Sequence, residues 1–412
     1  MVSMSDIKSL TPLEAVDKYF DMLIKSRFIE MFGTINLSEQ KPEWKRIGDV
    51  GKILTGSTPK TNEPSYWDGN LKWIAPAELT TDSYIVHDTE RKITEKGKNS
   101  CSLNLLKPGV VLLSSRAPIG KVAIVGDEMY CNQGFKNIEC SSEVNNIFLY
   151  ILLKNNTEFL NGLGRGATFK EISAKIVEDI RIPVPSIKDQ EQFVSFFEQV
   201  NKSKAICKLI FESFDNLVKS RFIEMFGTPT GNEKRWPTEQ LKKIAPAMQS
   251  DNVPTPDNNW LLNLDAIQSN SGDVLFKNRV AESELNGSIM SFNSDHVLYS
   301  KLRPYLNKVV LPDEPGYGTT ELIPLLPDKS KLTRIYLAYL LRSDAFVSKF
   351  SSAVAGTKMP RVSMDVFWKF DVPLPPVELQ NDFELFVKQV DKSKFEVVQS
   401  LTRLLESVKI AE

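Results

Sequence analysis

The chain has 412 residues and 42% hydrophobic content, which suits two or three ordinary globular domains and excludes a fibrous or disordered protein. Its formal net charge of −1 argues against a strongly basic nucleic-acid-binding surface, because neutralising phosphates requires a local excess of lysine and arginine. Four cysteines without CxxC spacing and two histidines support neither a metal site nor a disulfide framework, and no signal peptide or membrane-spanning apolar run is evident, which predicts a cytoplasmic protein.

The first predicted element is a helix near Thr11 to Phe32. Thr11, Pro12 and Glu14 fit an N-cap, a first-turn proline and an acidic residue at the third helical position. Apolar side chains recur on one face of this helix: Leu13, Val16, Phe20, Leu23, Ile24, Phe28 and Met31. This spacing predicts a helix packed along one side.

The pattern changes between Glu43 and Pro185 to short β-type runs separated by turn residues. Helices are predicted within this region at Asn146 to Leu153 and at Phe169 to Asp179. The segment therefore reads as a mixed α/β domain.

A long helix is predicted next, from Ile187 to Phe226, where no proline or glycine intervenes. Apolar residues recur in it every seven positions, at Phe193, Val200, Cys207 and Phe214, beside Phe196, Ile210 and Leu217. Gly227 and Pro229 then end it. A second mixed domain follows to about Pro376, and a last helix carries Phe383, Val390, Val397 and Leu404 in heptad step.

The chain repeats itself with a period of about 190 residues, too long for a solenoid unit. KSRFIEMFGT occurs from Lys25 and again from Lys219, and VNKSK from Val200 recurs as VDKSK from Val390. The central helix holds both signatures, whereas the N-terminal helix holds only the first and the C-terminal helix only the second. The terminal helices together rebuild one central helix, which predicts a pseudo-two-fold internal repeat with long antiparallel, coiled-coil-like helices joining two globular domains.

These residues carry a resemblance to the specificity subunit of type I restriction-modification systems. The most telling stretches are ILTGSTPKTNEPSYWDGNLKWIAPAEL from Ile53, VVLLSSRAPIGKVAIVGDEMYCNQGF from Val110, GRGATFKEISAKIVEDIRIPVPSIKDQEQFV from Gly164 and GTKMPRVSMDVFWKFDVPLPPVELQNDF from Gly356. The second domain departs from the first, since KIAPAMQSDNVPTPDNNWLLNLDAI replaces the segment that runs in the first domain from GSTPKT through YW to WIAP. The two domains are therefore expected to read different bases.

The resemblance implies a mixed α/β fold with two target-recognition domains built on twisted mixed sheets. The implied organisation is an N-terminal helix (1–40), a first recognition domain (41–185), a central helix (186–228), a second recognition domain (229–376) and a C-terminal helix (377–412). Each domain would read one half of a bipartite duplex DNA target. The helices would dock two methyltransferase subunits, and two restriction and translocation subunits would complete the complex.

The resemblance also implies that this chain is not an enzyme and binds no cofactor. The partner subunits would use S-adenosylmethionine, ATP and Mg²⁺. No phosphate-binding loop, HExxH or GxSxG motif is present in the sequence. Chemistry is therefore expected to reside in the partners, which could also supply positive surface that the chain lacks.

Candidate DNA contacts are residues in polar or glycine-flanked loops, of the types that hold phosphates or read base edges. For each of them a solvated surface position or a local turn contact is the alternative. In the first domain they are Thr58, Lys60, Ser115, Arg116, Lys121, Asn132, Gln133, Arg165, Thr168 and Lys170. In the second they are Lys301, Arg303, Tyr305, Asn307, Lys308, Thr357, Lys358 and Arg361. Tyr66, Trp67 and Trp73 could stack on nucleotides, although core packing is the favoured interpretation.

Two other classes of function remain open. A small-molecule or glycan-processing enzyme would use Glu78 and Asp82, near Trp73, as a pair of catalytic carboxylates. An adaptor would use the long helices only to assemble other proteins. Methylation assays with partner subunits distinguish these alternatives from DNA specificity.

Overall fold

A computed structural model describes residues 12–116, 118–165, 170–285, 287–352 and 360–410. The helices of this part of the chain are α1 (Pro12–Phe32), α2 (Ile47–Val50), α3 (Glu95–Asn99), α4 (Asn146–Asn155), α5 (Thr157–Gly162), α6 (Ala174–Asp179), α7 (Ile187–Phe226), α8 (Leu241–Ile244), α9 (Arg334–Arg342), α10 (Asp344–Ser352), α11 (Met364–Trp368) and α12 (Val377–Ile410). None of them is long and apolar enough to cross a bilayer.

The strands lie between the long helices. They are β1 (Lys45–Arg46), β2 (Gly51–Thr55), β3 (Trp67–Ile74), β4 (Ile85–Val86), β5 (Arg91–Ile93), β6 (Val111–Leu113), β7 (Val122–Val125), β8 (Tyr130–Cys131), β9 (Lys136–Cys140), β10 (Arg181–Ile182), β11 (Thr238–Gln240), β12 (Asn259–Leu262), β13 (Asn278–Val280), β14 (Ile289–Phe292), β15 (Val297–Ser300), β16 (Val309–Val310), β17 (Gly316–Thr319), β18 (Leu322–Leu325) and β19 (Asp371–Pro373).

Two compact units divide the chain. Met22–Lys202 form one unit, and Ser203–Glu412 form the other together with the chain before Met22. The division falls within α1 and α7, so these continuous helices each contribute residues to both units. The finer boundaries expected from the sequence, at 41–185 and 229–376, stay a prediction.

The sheets of the Met22–Lys202 unit are short and mixed. A five-stranded sheet has the order β2-β9-β6-β7-β4, in which β4 and β7 run parallel, and a three-stranded sheet has the order β5-β3-β8. β1 pairs with β10, which brings the two ends of the α/β region together. Apolar strand residues such as Val111 and Leu113 are fully buried, as the alternation of short β runs with turns predicts.

The other unit repeats this plan with different strand partners. Its sheets have the orders β13-β12-β17-β14 and β16-β15-β18, and β11 pairs antiparallel with β19 as β1 does with β10. The predicted mixed α/β class with mixed sheets and long helices is confirmed.

A cluster of aromatic rings joins α1 to α7 within the Met22–Lys202 unit. Phe28 stacks on Phe148 of α4 with ring centroids 5.9 Å apart, and it meets Phe193 of α7 edge to face at 5.3 Å. Phe32 also meets both rings edge to face. Such pairs add specific geometry to the burial of apolar area. The repeated KSRFIEMF segment thus fastens its helix to α7 through its phenylalanines.

The second copy of the segment builds the same cluster in the other unit. Phe222 stacks on Tyr336 of α9 at 5.5 Å and meets Phe383 of α12 edge to face at 5.4 Å. Phe226 takes the place of Phe32, at 4.8 Å from Tyr336 and 5.5 Å from Phe383. The internal repeat predicted from the sequence is therefore present in side-chain packing.

A buried glutamine at the start of each long helix is repeated as well. Gln190 donates to the carbonyls of Glu143 and Pro185 and accepts from the amide of Asn145. Gln380 makes the equivalent bonds to Lys331, Pro375 and Thr333. Both glutamines are fully buried, and full pairing removes the cost of burying an amide.

The central helix covers the range that the sequence predicts, Ile187–Phe226. Gly227 ends it in a left-handed conformation, with φ of +77°, and its amide bonds the carbonyl of Ile223. The heptad residues Phe193, Val200 and Cys207 are buried, but Ile210 and Leu217 are 38% and 49% exposed, so the predicted apolar face is only partly covered.

The predicted helix at Phe169 to Asp179 is wrong in its first half. The helix begins at Ala174, because Ser173 accepts a bond from the amide of Ile176 as N-cap. The amides of Glu171 and Ile172 instead bond the carbonyls of Arg165 and Ser115. Thr11, the predicted cap of α1, and Phe169 lie outside the described residues.

Candidate nucleic-acid interface

Several loops of the Met22–Lys202 unit lie side by side and form the first loop cluster, defined as the described parts of 56–60, 114–121, 131–135 and 164–172. Backbone bonds join them: Ser57 donates to Cys131 O at 3.0 Å, Ser115 to Gly134 O at 2.8 Å and Ile172 to Ser115 O at 3.0 Å. Paired backbone leaves these loops little freedom relative to the sheet. The cluster is a surface on which polar side chains can hold fixed positions.

Gly56 allows the closest approach in this cluster. A Cβ atom at this position would lie 2.0 Å from the carbonyl oxygen of Cys131, so no other residue fits. Gly134 is similarly confined, since its Cβ would lie 3.1 Å from Nε of Arg116 and 3.0 Å from Pro76. The glycines of the sequence motifs thus permit the loops to pack against each other.

The predicted core role of the tryptophans is confirmed. Trp67 and Trp73 are only 8% and 2% exposed and meet edge to face at 5.1 Å. Their indole nitrogens donate to the carbonyls of Lys60 and Ser57, each at 3.1 Å. The guanidinium of Arg91 lies 3.7 Å from the Trp67 ring centroid. These aromatic residues therefore support the loop that carries Thr58 and Lys60.

The outer side chains of the first loop cluster are largely those expected from the sequence. Lys60, Gln133, Arg165 and Lys170 are exposed, and Thr58 and Arg116 are half-buried. The Thr58 hydroxyl donates to Oε1 of Gln133, which orients that amide so that its nitrogen is the group able to donate to a ligand. Arginine, lysine and glutamine are the residues that hold phosphates and read base edges.

Three other predicted residues have internal roles. Ser115 is fully buried, and its hydroxyl accepts from Nζ of Lys136 at 3.2 Å. Asn132 accepts from the amide of Gly134 at 2.8 Å, which closes a turn. Lys121 donates to the carbonyl of Leu79 and lies 3.5 Å from that of Pro76. Ser115 and Lys121 thus bond partners that are distant in the sequence, and Asn132 bonds within its own turn.

The Ser203–Glu412 unit has a corresponding second loop cluster, defined as 300–308, 319–321 and 360–362. Lys301 donates its amide to Glu321 O at 3.0 Å, Val362 to Lys301 O at 2.9 Å and Arg303 to Pro360 O at 2.7 Å. The first two bonds match those of Ser115 and Ile172 in the first cluster. Arg303 and Asn307 both adopt left-handed backbone conformations, with φ of 50° and 49°.

The predicted residues of the second loop cluster divide in the same way. Arg303 is exposed, Tyr305 is 53% exposed and Lys301 is half-buried. Asn307 is buried and donates to the carbonyl of Arg342 at 2.9 Å. Lys308 donates to the carbonyl of Leu264 at 2.6 Å, and burial lowers its pKa below the usual value. Lys308 therefore repeats the internal role of Lys121.

Arg361 is held by a carboxylate. Its Nη2 lies 2.8 Å from Oε1 of Glu321 and its Nε lies 3.2 Å from Oε2, a two-pronged pair that lowers the pKa of Glu321. Thr168, Thr357 and Lys358, also predicted as contacts, lie outside the described residues.

Lys136 is not among the residues expected from the sequence, yet its ammonium has three hydrogen-bond partners within the first loop cluster. Nothing in its sequence context, GFKNIE, separates it from a surface lysine. Its burial at the start of β9, which the structure shows, is what requires a partner for its charge.

Glu78, one of the two carboxylates that a glycan-processing enzyme would use, accepts hydrogen bonds from backbone amides on both of its oxygens. Oε1 accepts from Ala75 at 2.8 Å and Oε2 from Glu90 at 2.7 Å. This is the geometry of a structural cap. Within the described residues, no group of three or more histidine, cysteine or acidic side chains could hold a metal ion.

Comparisons with known proteins agree on one family. Residues 41–210 match the model described as type I restriction modification DNA specificity domain. The chain is 35% identical over 233 residues to the type I restriction enzyme MjaIX specificity subunit of Methanocaldococcus jannaschii, a match that covers 54% of each chain. It is 21% identical over 402 residues to the MjaVIII specificity subunit of the same organism, covering 85% of this chain and 86% of that one.

The chain thus spans about half the length of the MjaIX relative in that match. The chain is also similar in fold to a solved chain described under complex assembly and conformational transition of the type I R-M system. The two structures superpose with a TM-score of 0.51, and their sequences are 17% identical. The match covers 90% of this chain and 97% of the solved chain. At that identity the likeness concerns the fold alone.

Proposed function

We propose that this chain is a specificity subunit of a type I restriction-modification complex and selects the DNA sequence on which such a complex acts, because its sequence is similar to subunits of that kind. Each loop cluster reads one half of a bipartite duplex target. The chain itself carries out no catalysis.

The observation that carries the proposal is that one loop architecture occurs twice with different outer side chains. Equivalent backbone bonds support both clusters, from Ser115 to Gly134 O and from Lys301 to Glu321 O. Base edges in the major groove differ in their donors and acceptors, so a change of outer side chains on a constant frame changes the bases that are preferred. Two unlike half-sites follow from two unlike clusters.

In the first loop cluster we assign base reading to Gln133 and Arg116. The amide of Gln133 is exposed and oriented by Thr58, and an oriented amide can bond adenine through paired donor and acceptor atoms. Lys60, Arg165 and Lys170 are assigned to phosphates, because exposed flexible cations suit that contact.

In the second loop cluster Arg303 and Tyr305 are the exposed candidates, with Lys301 beside them. Arg303 adopts a left-handed backbone conformation, and its side chain is exposed. Ser115, Lys121, Asn132, Asn307 and Lys308 support their loops from within.

The proposal places the chemistry in partner subunits. Two methyltransferase subunits dock on the long helices, and two restriction and translocation subunits complete the assembly, which uses S-adenosylmethionine, ATP and Mg²⁺ in the cytoplasm. The net charge of −1 supports this division, because a protein that held duplex DNA alone would need a positive excess.

The test is methylation of a plasmid library by this chain co-expressed with the methyltransferase subunits encoded with it. Modified positions are read by single-molecule sequencing, for the wild type and for a chimera in which residues 41–185 come from another family member. The proposal is supported if the wild type methylates a bipartite motif and the chimera methylates a motif in which one half has changed. Methylation without sequence preference would indicate an assembly adaptor, and a motif whose two halves both change in the chimera would contradict the assignment of one half to each cluster.

A further inference from the structure

Lys136 is a buried cation that joins three segments of the first loop cluster. Its side chain is 10% exposed at the start of β9. The ammonium donates to Oγ of Ser115 at 3.2 Å, to the carbonyl of Gln133 at 3.1 Å and to Oε1 of Glu171 at 3.1 Å. All three donor positions of the ammonium are used, as burial of a charge requires.

Glu171 links this cation to the outer surface. Its backbone pairs with that of Arg165 through two bonds of 3.0 Å, and its Oε2 lies 3.9 Å from Nη1 of Arg116. One carboxylate therefore faces the buried Lys136 through one oxygen and the half-buried Arg116 through the other. Without the charge of Lys136, Glu171 would pair with Arg116 without competition from Lys136, and Arg116 would no longer be repelled by that cation, so Arg116 would be drawn toward the carboxylate and away from a ligand.

The second loop cluster has an ion pair at the corresponding strand end. Ser114 pairs with Phe135 in the first unit, and Ser300 pairs with Leu322 in the other. Glu321 directly precedes Leu322, whereas Lys136 directly follows Phe135, and Arg361 bridges Leu302 as Glu171 bridges Arg116. In this pair the carboxylate, Glu321, lies at the strand end, and the cation, Arg361, lies in the 360–362 segment. In the first loop cluster the cation lies on the strand and the carboxylate, Glu171, in the 164–172 segment.

We propose that Lys136 with Glu171, and Glu321 with Arg361, are positioning pairs, each of which determines sequence preference at one half-site only. This rests on the proposed function. Lys136 sets the carbonyl of Gln133 and the direction of Arg116. Arg361 acts through Glu321 and the adjoining loop rather than by touching a base, which differs from the role expected from the sequence. Each pair lies within one compact unit, Lys136 and Glu171 in one and Glu321 and Arg361 in the other, which is why each is assigned to one half-site.

The experiment uses the full chain co-expressed with its methyltransferase subunits on a plasmid library of random sequence. The variants are Lys136→Met, Lys136→Arg and Arg361→Met. Lys175→Met is the matched control, because Lys175 pairs with Asp179 on the surface of the same unit and its side chain is 68% exposed. The readout is the ratio of methylation at matched sites to methylation at sites mismatched in one half.

Lys136→Met should lower this ratio for the first half-site at least about tenfold, the effect of about 1.4 kcal/mol, and leave the second half-site unchanged. Arg361→Met should lower the ratio for the second half-site and leave the first half-site unchanged. Lys136→Arg should keep the preference because it retains the cation, and Lys175→Met should have no effect. A variant that merely weakened the fold would lower methylation at every site and leave both ratios intact, and that result would overturn the proposal.

If Lys136→Met yields no assembled complex, the positioning role is tested on the second pair, Glu321 and Arg361, which is more exposed. Exchanging its charges, with Glu321→Arg and Arg361→Glu together, should restore the second half-site preference that Arg361→Glu alone removes. Failure of the exchange to restore it would contradict a positioning role. A wild-type complex without a bipartite motif would instead contradict the proposed function.

Discussion

Nζ of Lys204 on α7 lies 3.1 Å from Oδ1 of Asp21 on α1, and the same pair occurs between Lys394 and Asp215 in the second copy of the repeat. Asp17 also lies 3.2 Å from Lys204. Burial opposes the charge of Lys204, but the two carboxylates outweigh it and raise its pKa. The VNKSK and VDKSK motifs thus each place a lysine against the aspartate that precedes a KSRFIEMF segment.

Replacing Lys204 by alanine should lower the free energy of unfolding by about 1 kcal/mol. Partial shielding from solvent strengthens the ion pair, but ordering the long lysine side chain costs entropy and limits the gain. The loss should shrink in about 1 M salt, which screens charges beyond about 3 Å. Urea denaturation followed by circular dichroism measures both. Lys202→Ala, at an exposed position two residues earlier, is the control and should cost little. An equal loss in both variants would refute a specific pair.

Phe193→Ala and Phe383→Ala should be equally costly, at about 3–5 kcal/mol each, since both rings are fully buried among the repeated aromatic clusters. Denaturant unfolding of each variant, and of the double variant, gives the values. The two losses should add, because no ring belongs to both clusters. Phe395→Ala, which removes a ring that is 57% exposed, is the control. A cost below about 1 kcal/mol for either buried ring would contradict the shared role.

Gln133→Ala should relax preference at one base pair of the first half-site by about 1–3 kcal/mol, the usual value of a paired amide contact. Lys170→Ala should instead weaken binding uniformly across sequences and reduce the slope of affinity against salt by about one unit, as expected of a phosphate contact. Competition binding of the methyltransferase complex to matched and singly mismatched duplexes separates the two patterns. A uniform loss for Gln133→Ala would reassign that residue to the backbone.

Arg361→Met should destabilise the chain at neutral pH and have progressively less effect in acid. Arg361 lowers the pKa of Glu321 below the ordinary value of 4.5. The stability that this depressed pKa contributes is complete above the unfolded pKa and is lost as the pH falls through the folded pKa. Thermal or urea unfolding from pH 7 down to about 3 tests the convergence of variant and wild type. Lys242→Met, an exposed position, should show no such trend.

Insertion of four residues after Cys207, about one helical turn or 6 Å, should change the spacer between the half-sites or abolish methylation. The reason is that α7 is one continuous helix with residues in both compact units. Both half-site sequences should stay the same, because the loop clusters are untouched. Motif determination by single-molecule sequencing measures spacer and half-sites together. An altered half-site with an unchanged spacer would falsify the division of roles between helices and loops.

Long-range regularities of the fold were accessible from the sequence. The repeated motifs predicted matched helices, and Phe28 and Phe222 do occupy equivalent ring clusters. The limits of α7 followed from the absence of proline and glycine and from Gly227. Local propensity misplaced the start of α6, because the amides of Glu171 and Ile172 find partners in other loops.

What the sequence determined by itself is the architecture: a duplicated mixed α/β protein with long helices, since periodicity and helix-ending residues act between residues close together in the chain. Only the tertiary structure decided which loop side chains face outward. Lys121, Asn307 and Lys308 looked equivalent to Lys60 and Arg303, but each donates a hydrogen bond to a carbonyl far away in the chain. A polar side chain becomes internal or available according to partners that folding brings near, and chain spacing does not encode them.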